Sequence, residues 1–302
     1  MKWLVLTDNK SFHEGIEKTL LELDKKTKCV CLQFNIEALS KQKKNFKEFT
    51  AAVIYSAKPE IFTAPRVALL SSITGYFVAK GINIISNIEF LYNNPLFEKD
   101  AIHPLKSDEN IIAYIKKNYN ALVDKAVKRI AKGNLLERGI PFTADCMATY
   151  IAKNKIEIFE EFLEAGMSVN SRDDTGTPML NIACRNDNFE IVERLLSLGA
   201  ELNAVSEDRG YTAVMDAVWR GNEKITKFLI EKGADLNTIS KEGQSNLVLA
   251  VGADRYNICK LLVENGSDPD VKDMMGMSAY GYATLFKKEK IAEILRPYHK
   301  EG

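Results

Sequence analysis

Four glycines, Gly166, Gly199, Gly233 and Gly266, stand 33, 34 and 33 residues apart. Four positions beyond each comes Asn170, Asn203, Asn237 or Asp270. A second series, Gly176, Gly210, Gly243 and Gly276, has spacings of 34, 33 and 33. Each of its first three members precedes a member of the first series by 23 residues, so the one extra residue lies between Gly199 and Gly210. A period held this closely means one supersecondary unit repeated along the chain. Such a unit cannot bury its own apolar face, so its copies must stack.

Between the glycines the apolar pattern recurs. One stretch of each unit reads Ile158/Phe159/Phe162/Leu163, then Ile191/Val192/Leu195/Leu196, Ile225/Thr226/Leu229/Ile230 and Ile258/Cys259/Leu262/Val263. The spacing i, i+1, i+4, i+5 makes a single helical stripe. A preceding stretch carries small residues at matched places, Ala183/Cys184, Ala217/Val218, Ala250/Val251 and Ala283/Thr284, which let neighbouring helices approach. The first glycine series falls where each second helix should end, in a left-handed conformation.

These residues resemble the ankyrin family, whose unit is two antiparallel helices and a projecting turn. Gly-Ala-Glu-Leu-Asn-Ala at 199–204 and Gly-Ala-Asp-Leu-Asn-Thr at 233–238 are close matches, and Thr212 takes the family's threonine place. The family's proline is replaced by Ala213, Asn246 and Ala279, Pro178 stands one place early, and its histidine is missing. The helix starts are therefore expected to be less firmly fixed than in the family. Five units are expected, 140–172, 173–206, 207–239, 240–272 and 273–300, the outer two as caps.

The resemblance implies an extended binding surface on the concave face and turn tips. Its variable positions are the residue after the turn glycine and the two after the small pair. Here they are Thr177, Arg185 and Asn186; Tyr211, Trp219 and Arg220; Gln244, Gly252 and Ala253; and Met277, Leu285 and Phe286. Tyr, Trp and Arg are enriched in binding hot spots. Tyr211, Trp219 and Arg220 are the expected centre of a partner site, with Arg185, Met277 and Phe286 as further contacts. Met274, Met275, Met277, Leu285 and Phe286 form a second apolar group.

The first 118 residues have another rhythm. Strand-length apolar runs at 3–7, 29–34, 51–56, 82–86 and 101–105 alternate with helical stretches at 11–23 and 65–80 and a lysine-rich stretch containing Lys41, Lys43, Lys44 and Lys47. Alternation of this kind predicts an α/β domain with a parallel sheet in flavodoxin-like order. Ligands in such sheets bind beyond the carboxyl ends of the strands. Asp8, Asn9, Ser11, Ser56, Lys58 and Asn87 stand there, with Asp8, Ser11, Ser56 and Asn87 as candidate ligand contacts. No G-x-G-x-x-G and no phosphate loop is present. The segment Ser72-Ile73-Thr74-Gly75-Tyr76 and its continuation to Ile84 resembles the helix-to-strand step of nucleoside deoxyribosyltransferase-like domains, distant relatives of Toll/interleukin-receptor-type NAD-cleaving domains. Those carry a catalytic Glu where this chain has Ile73. The resemblance thus implies a binding or assembly module without glycosyl chemistry. Residues 108–139 read as a connecting helical segment with Ser107-Asp108-Glu109 at its start and a break at Gly133; a shared helix would pack the two domains rigidly. Residues 140–302 form the solenoid.

The chain has 302 residues, 46% hydrophobic and 27% charged, as in ordinary globular proteins. Its five cysteines (Cys29, Cys31, Cys146, Cys184, Cys259) and three histidines (His13, His103, His299) are too scattered for a disulfide framework or a metal cluster. Residues 1–139 carry seven more Lys and Arg than Asp and Glu, and 140–302 carry seven fewer. Neither half has the basic face that nucleic acid requires. No run is long enough to span a bilayer. These points place the protein in the cytoplasm, with no cofactor, no nucleic acid and no membrane. The expected function is a non-enzymatic protein-interaction scaffold, with self-association through the N-terminal domain as an added option. The alternative is a nucleotide- or nucleoside-processing or sensing α/β domain targeted by the repeats.

Overall fold

The computed structural model describes residues 1–32, 46, 48–57, 64–93 and 102–300. The lysine cluster at 41–47, Lys58 and the end of the run at 29–34 lie outside them. The chain divides into two compact units, Met1–Asn134 and Leu135–Gly302.

In the first unit five strands, β1 (Lys2–Thr7), β2 (Lys28–Leu32), β3 (Ala51–Tyr55), β4 (Asn83–Ser86) and β5 (Ile102–Pro104), make one sheet in the order β2-β1-β3-β4-β5. Every pairing is parallel, Val5 opposite both Cys31 and Val53. This is the flavodoxin-like order. The middles of β1 and β3 are apolar because both faces are covered there. Leu4, Leu6, Ala52, Ile54 and Ile84 point to one face, where Leu70, Ile73 and Phe77 of α2 (Ala64–Ala79) pack. Trp3, Val5, Ala51, Val53 and Ile85 point to the other, against Phe12, Ile16 and Leu20 of α1 (Lys10–Leu23). Ile73, the position of the catalytic Glu in the resembled family, is thus a core residue, 8% exposed. A short helix, α3 (Glu89–Tyr92), follows β4.

The next helix, α4, runs Asp108–Glu137 and starts where Ser107 Oγ accepts from Asn110 N at 3.2 Å. Its Ile111, Ile115, Tyr119 and Leu122 pack with α1 on the same face of the sheet. The expected break at Gly133 does not occur. A glycine inside a helix costs about 1 kcal/mol against alanine but does not forbid helix. The stop is six residues on, at Gly139 (φ 72), where Ile140 N donates to Leu135 O and Gly139 N to Leu136 O, both at 2.9 Å. That paired closure needs a left-handed residue.

The second unit holds five helix pairs. They are α5 (Ala144–Ala152) and α6 (Ile156–Glu164), α7 (Met179–Arg185) and α8 (Phe189–Ser197), α9 (Ala213–Arg220) and α10 (Glu223–Glu231), α11 (Asn246–Gly252) and α12 (Tyr256–Glu264), and α13 (Ala279–Leu285) and α14 (Glu289–Leu295). First helices stack on first helices, and from α8 onward second helices stack on second helices, giving two layers. The helix starts are better fixed than expected. Thr143, Thr212, Ser245 and Ser278 each accept from the backbone N–H three residues on, at 3.1–3.4 Å. The missing prolines matter little because the side-chain oxygen, not the ring, satisfies the orphan donor. Among the first helices only α7 begins without such a cap, at Pro178.

All the helices of these pairs but the last close next to a left-handed residue. The second helices of the first four units close on Gly166, Gly199, Gly233 and Gly266, with φ between 87 and 93. The first helices close on Asn154, Asp187, Gly221, Asp254 and Lys287, with φ between 52 and 77. The recurring asparagines have a structural job: Asn170 Oδ1 accepts from Glu201 N and Asn203 Oδ1 from Asp235 N, each at 2.9 Å, tying the first unit to the second and the second to the third. Asp270, the fourth member of the series, accepts in the same way from Lys300 N at 2.8 Å. His299 Nδ1 lies 2.5 Å from the same carboxylate, and its ring stacks on Tyr280.

Candidate functional site

The turns between units form a row of fingers. Each is held by a side chain at one position: Asp173, Ser206, Ser240 or Asp273 accepts from the backbone N–H groups that follow it. The fingers touch. A Cβ built at Gly176, Gly210 or Gly243 would meet Glu207, Lys241 or Met274 of the next finger at 2.6–2.8 Å, whereas one at Gly276 would meet nothing within 4 Å. Glycine is required at the first three for this approach as well as for their positive φ. Beyond Gly276 no finger follows, and Met274 and Met275 are 75% and 81% exposed.

This stacking corrects part of the expected site. The residue after the turn glycine is buried in the second and third units. Thr177 is fully buried and Tyr211 is 6% exposed. The Tyr211 ring packs beneath the Arg209 guanidinium at 4.4 Å, and its hydroxyl donates to Gln244 Oε1 at 3.1 Å. Tyr211 therefore joins units and is no exposed anchor. Burial pushes its phenol up. Met277 is half-buried in its turn.

Arg185 is also engaged within the array. Its Nε donates to Asp216 Oδ1 at 2.9 Å, and its Nη2 lies 3.4 Å from Oδ2. Asp216 is wholly buried in α9 and accepts further from Arg209 Nη2 and Asn181 Nδ2, each at 3.2 Å. A buried carboxylate without such donors would cost several kcal/mol. Burial would lower the Arg185 guanidinium, but its hydrogen bond and charge pairing with Asp216 outweigh that and leave it raised. The sequence signal for this network was a lone Asp in the otherwise apolar start of α9.

What remains open is the end of the first helix in the third and fifth units. Trp219 is 47% exposed, Leu285 62% and Phe286 57%. Phe286 stacks on Tyr282 at 5.7 Å. Arg220 is exposed, and among the described residues no carboxylate reaches it. Gly252 and Ala253 hold the same places in the unit between, and a Cβ built at Gly252 would meet nothing within 4 Å. Trp219, Arg220, Leu285 and Phe286 thus border a low stretch of surface.

In the first unit the strand ends carry a second polar cluster. Asp8, after β1, accepts from Ser56 Oγ at 2.7 Å and from Ala57 N at 3.0 Å. Asn87, after β4, accepts from Ser56 N at 3.0 Å and donates to Ser56 O at 2.7 Å. Three of the four candidates thus meet at the point where the strand order reverses, between β1 and β3. Ser11 sits exposed in the first turn of α1, apart from these bonds. Their mutual hydrogen bonds brace the loops.

All five cysteines are free; burial pushes the Cys259 thiol, and burial with Glu17 and Cys31 the Cys29 thiol, up to about 12. Among the described residues there is no group of metal-ligating side chains and no helix long and apolar enough to cross a membrane.

The stacked helix pairs, glycine-closed and finger-linked, define an ankyrin-repeat array. Family models for ankyrin repeats match residues 146–240, as three copies, and residues 242–274. The chain is similar to an ankyrin repeat-containing protein of Treponema pallidum, 34% identical over 191 residues, which are 63% of this chain and 64% of that one. It is similar also to the ankyrin repeat protein nuc-2 of Neurospora crassa, 32% identical over 50% of this chain and 15% of that one. An ankyrin repeat protein of Borreliella burgdorferi is 34% identical over 28% of this chain and 37% of its own. The chain thus spans less than two thirds of the length of these relatives.

Proposed function

We propose that the repeat array is a scaffold that grips a partner protein at the first-helix ends of its third to fifth units. Ankyrin repeats support a protein-interaction role in general. The observation that favours this place is Trp219, nearly half exposed beside Arg220 and followed along the array by Leu285 and Phe286. An exposed indole next to a guanidinium is the residue pair that hot spots favour. Tyr211 and Arg185 are supports beneath the surface, holding units two to four together.

The test is capture of partners from the native host on the full chain and on Trp219→Ala/Arg220→Ala, with thermal unfolding of both. The expected outcome is a protein lost from the double variant at unchanged unfolding temperature. Equal capture by both removes the assignment.

A second reading concerns the first unit. The Asp8–Ser56–Asn87 cluster stands at the sheet's switch point, where open α/β sheets take ligands. It favours a small-molecule role for that unit, as a nucleotide or nucleoside sensor. Incubation with NAD and with nucleosides tests this: product formation or saturable binding lost in Asp8→Ala supports it, and neither leaves the unit as a binding or assembly module.

A further inference from the structure

We propose that Arg255, together with Arg220, receives a carboxylate of the partner, so that the bound segment is an acidic peptide with an apolar side chain beside the acid. The proposal rests on the interaction reading above and names the chemistry of its ligand.

The argument begins with how successive units are tied at their first-helix ends. In the second, third and fifth units the residue after the left-handed position hydrogen-bonds back to the preceding unit. Asn188 Nδ2 donates to Ile151 O. Asn222 Nδ2 donates to Asp187 Oδ1. Lys288 Nζ donates to Asp254 Oδ1 at 3.1 Å and to Val251 O at 2.8 Å. The fourth member of this series is Arg255, and it too reaches back. A Cβ built at Gly221 would stand 2.5 Å from its Nε and 2.6 Å from its Cζ.

Residue 221, however, is glycine where units two and four have Asp187 and Asp254. The joint therefore brings a cation to a position that offers it no side-chain carboxylate. Among the described residues no hydrogen bond or ion pair engages the Arg255 guanidinium, nor that of Arg220 one residue before Gly221. A guanidinium is always charged and presents a planar fork that matches a carboxylate with two parallel hydrogen bonds. Trp219, next to Arg220 in the chain, is exposed, and Gly252 and then Leu285 and Phe286 stand at the matching places of the following two units. Two unpaired guanidinium groups and a bordering apolar row fit a segment with an acid and an apolar anchor. A polyphosphate chain fits less well, because the acidic excess of residues 140–302 repels its many charges more than it repels one carboxylate.

The experiment is selection of a phage-displayed random peptide library on the immobilised full chain, followed by fluorescence anisotropy with the synthetic winner. Enriched peptides are expected to place Asp or Glu within a few residues of Leu, Phe or Trp. Affinity should fall about tenfold in Arg255→Gln, the loss of one charge-assisted pair. It should fall likewise in Gly221→Asp, which supplies the carboxylate from within the array, as Asp187 and Asp254 already do at the same backbone conformation. Arg220→Glu/Arg255→Glu should select peptides rich in Lys and Arg instead. Unfolding temperatures report that each variant is folded. Winners without acidic bias, or affinity indifferent to Arg255→Gln, overturn the proposal; if those winners still need Trp219, the interaction surface stands and only its acid specificity falls. Indifference to both residues, or no enrichment, removes both. Arg255-dependent binding of a single-stranded oligonucleotide in place of acidic peptides also overturns it.

Discussion

Arg185 and Asp216 join the second repeat to the third: the Arg185 Nε donates to Asp216 Oδ1 at 2.9 Å, and the carboxylate it meets has no exposed surface. Arg185→Ala leaves that carboxylate with Arg209 and Asn181 alone. Breaking a buried pair costs about 3–5 kcal/mol. Arg185 is itself 29% exposed and two donors remain, so the expected loss is about 2 kcal/mol. Urea denaturation checks it, and Arg185→Met/Asp216→Leu should recover most of the loss.

The same carboxylate gives a pH signature. Burial pushes Asp216 up, and the Arg185 hydrogen bond with the charges of Arg185 and Arg209 only partly offsets this. A carboxyl held above its unfolded value contributes stability below the ordinary carboxylate range and loses it as pH rises through the folded pKa. The stability of the wild type relative to Asp216→Asn should therefore fall from acid to neutral pH. A difference that is flat or rises contradicts the assignment.

Tyr211 and Trp219 should separate folding from binding. Tyr211→Ala empties a packed site between units and should cost about 3 kcal/mol. Trp219→Ala should change stability by no more than about 0.5 kcal/mol while partner binding is lost. Thermal unfolding and capture on the same two variants give the answer.

Lys287 holds the left-handed position, φ 54, that Asn, Asp or Gly holds in the other four units. A left-handed lysine costs about 1 kcal/mol. Lys287→Gly should raise the unfolding free energy by roughly that amount less the greater freedom of glycine in the unfolded chain, a net gain of about 0.5 kcal/mol. Calorimetry showing a loss would mean that the lysine side chain stabilises the last unit.

Asp270 should make the closing turn acid-sensitive. Its carboxyl is held below the usual range: burial would raise it, but the Lys300 N–H, the His299 hydrogen bond and the charges of His299 and Lys300 prevail. Its contribution is present above the ordinary carboxylate range and lost as pH falls through the folded value. Asp270→Ala should cost about 1 kcal/mol at neutral pH, a figure discounted for exposure, and almost nothing in strong acid. Hydrogen exchange of α13 and α14 at both pH values checks it.

The repeat register, the helix pairs and the flavodoxin-like sheet were legible in the chain because each rests on local pattern: glycine at left-handed ends, a helical stripe in each second helix, and apolar runs of strand length. The start of α4 was legible for the same reason, in Ser107. Its end was not, because a mid-helix glycine permits a break without requiring one. At the strand ends, Asp8, Ser56 and Asn87 were named from their places after β1, β3 and β4, but only the sheet order set them side by side.

The sequence by itself determined that units of 33 or 34 residues stack, and it listed the positions free to vary. It did not determine which of those positions face outward. Tyr211 and Trp219 both stood on that list. The tertiary structure separates them, because the fourth unit covers Tyr211 and leaves Trp219, at the end of its first helix, clear. Contacts between residues some 33 apart likewise turned Arg185 inward to Asp216 and set Arg255 against Gly221. Neither arrangement leaves a trace in the period itself.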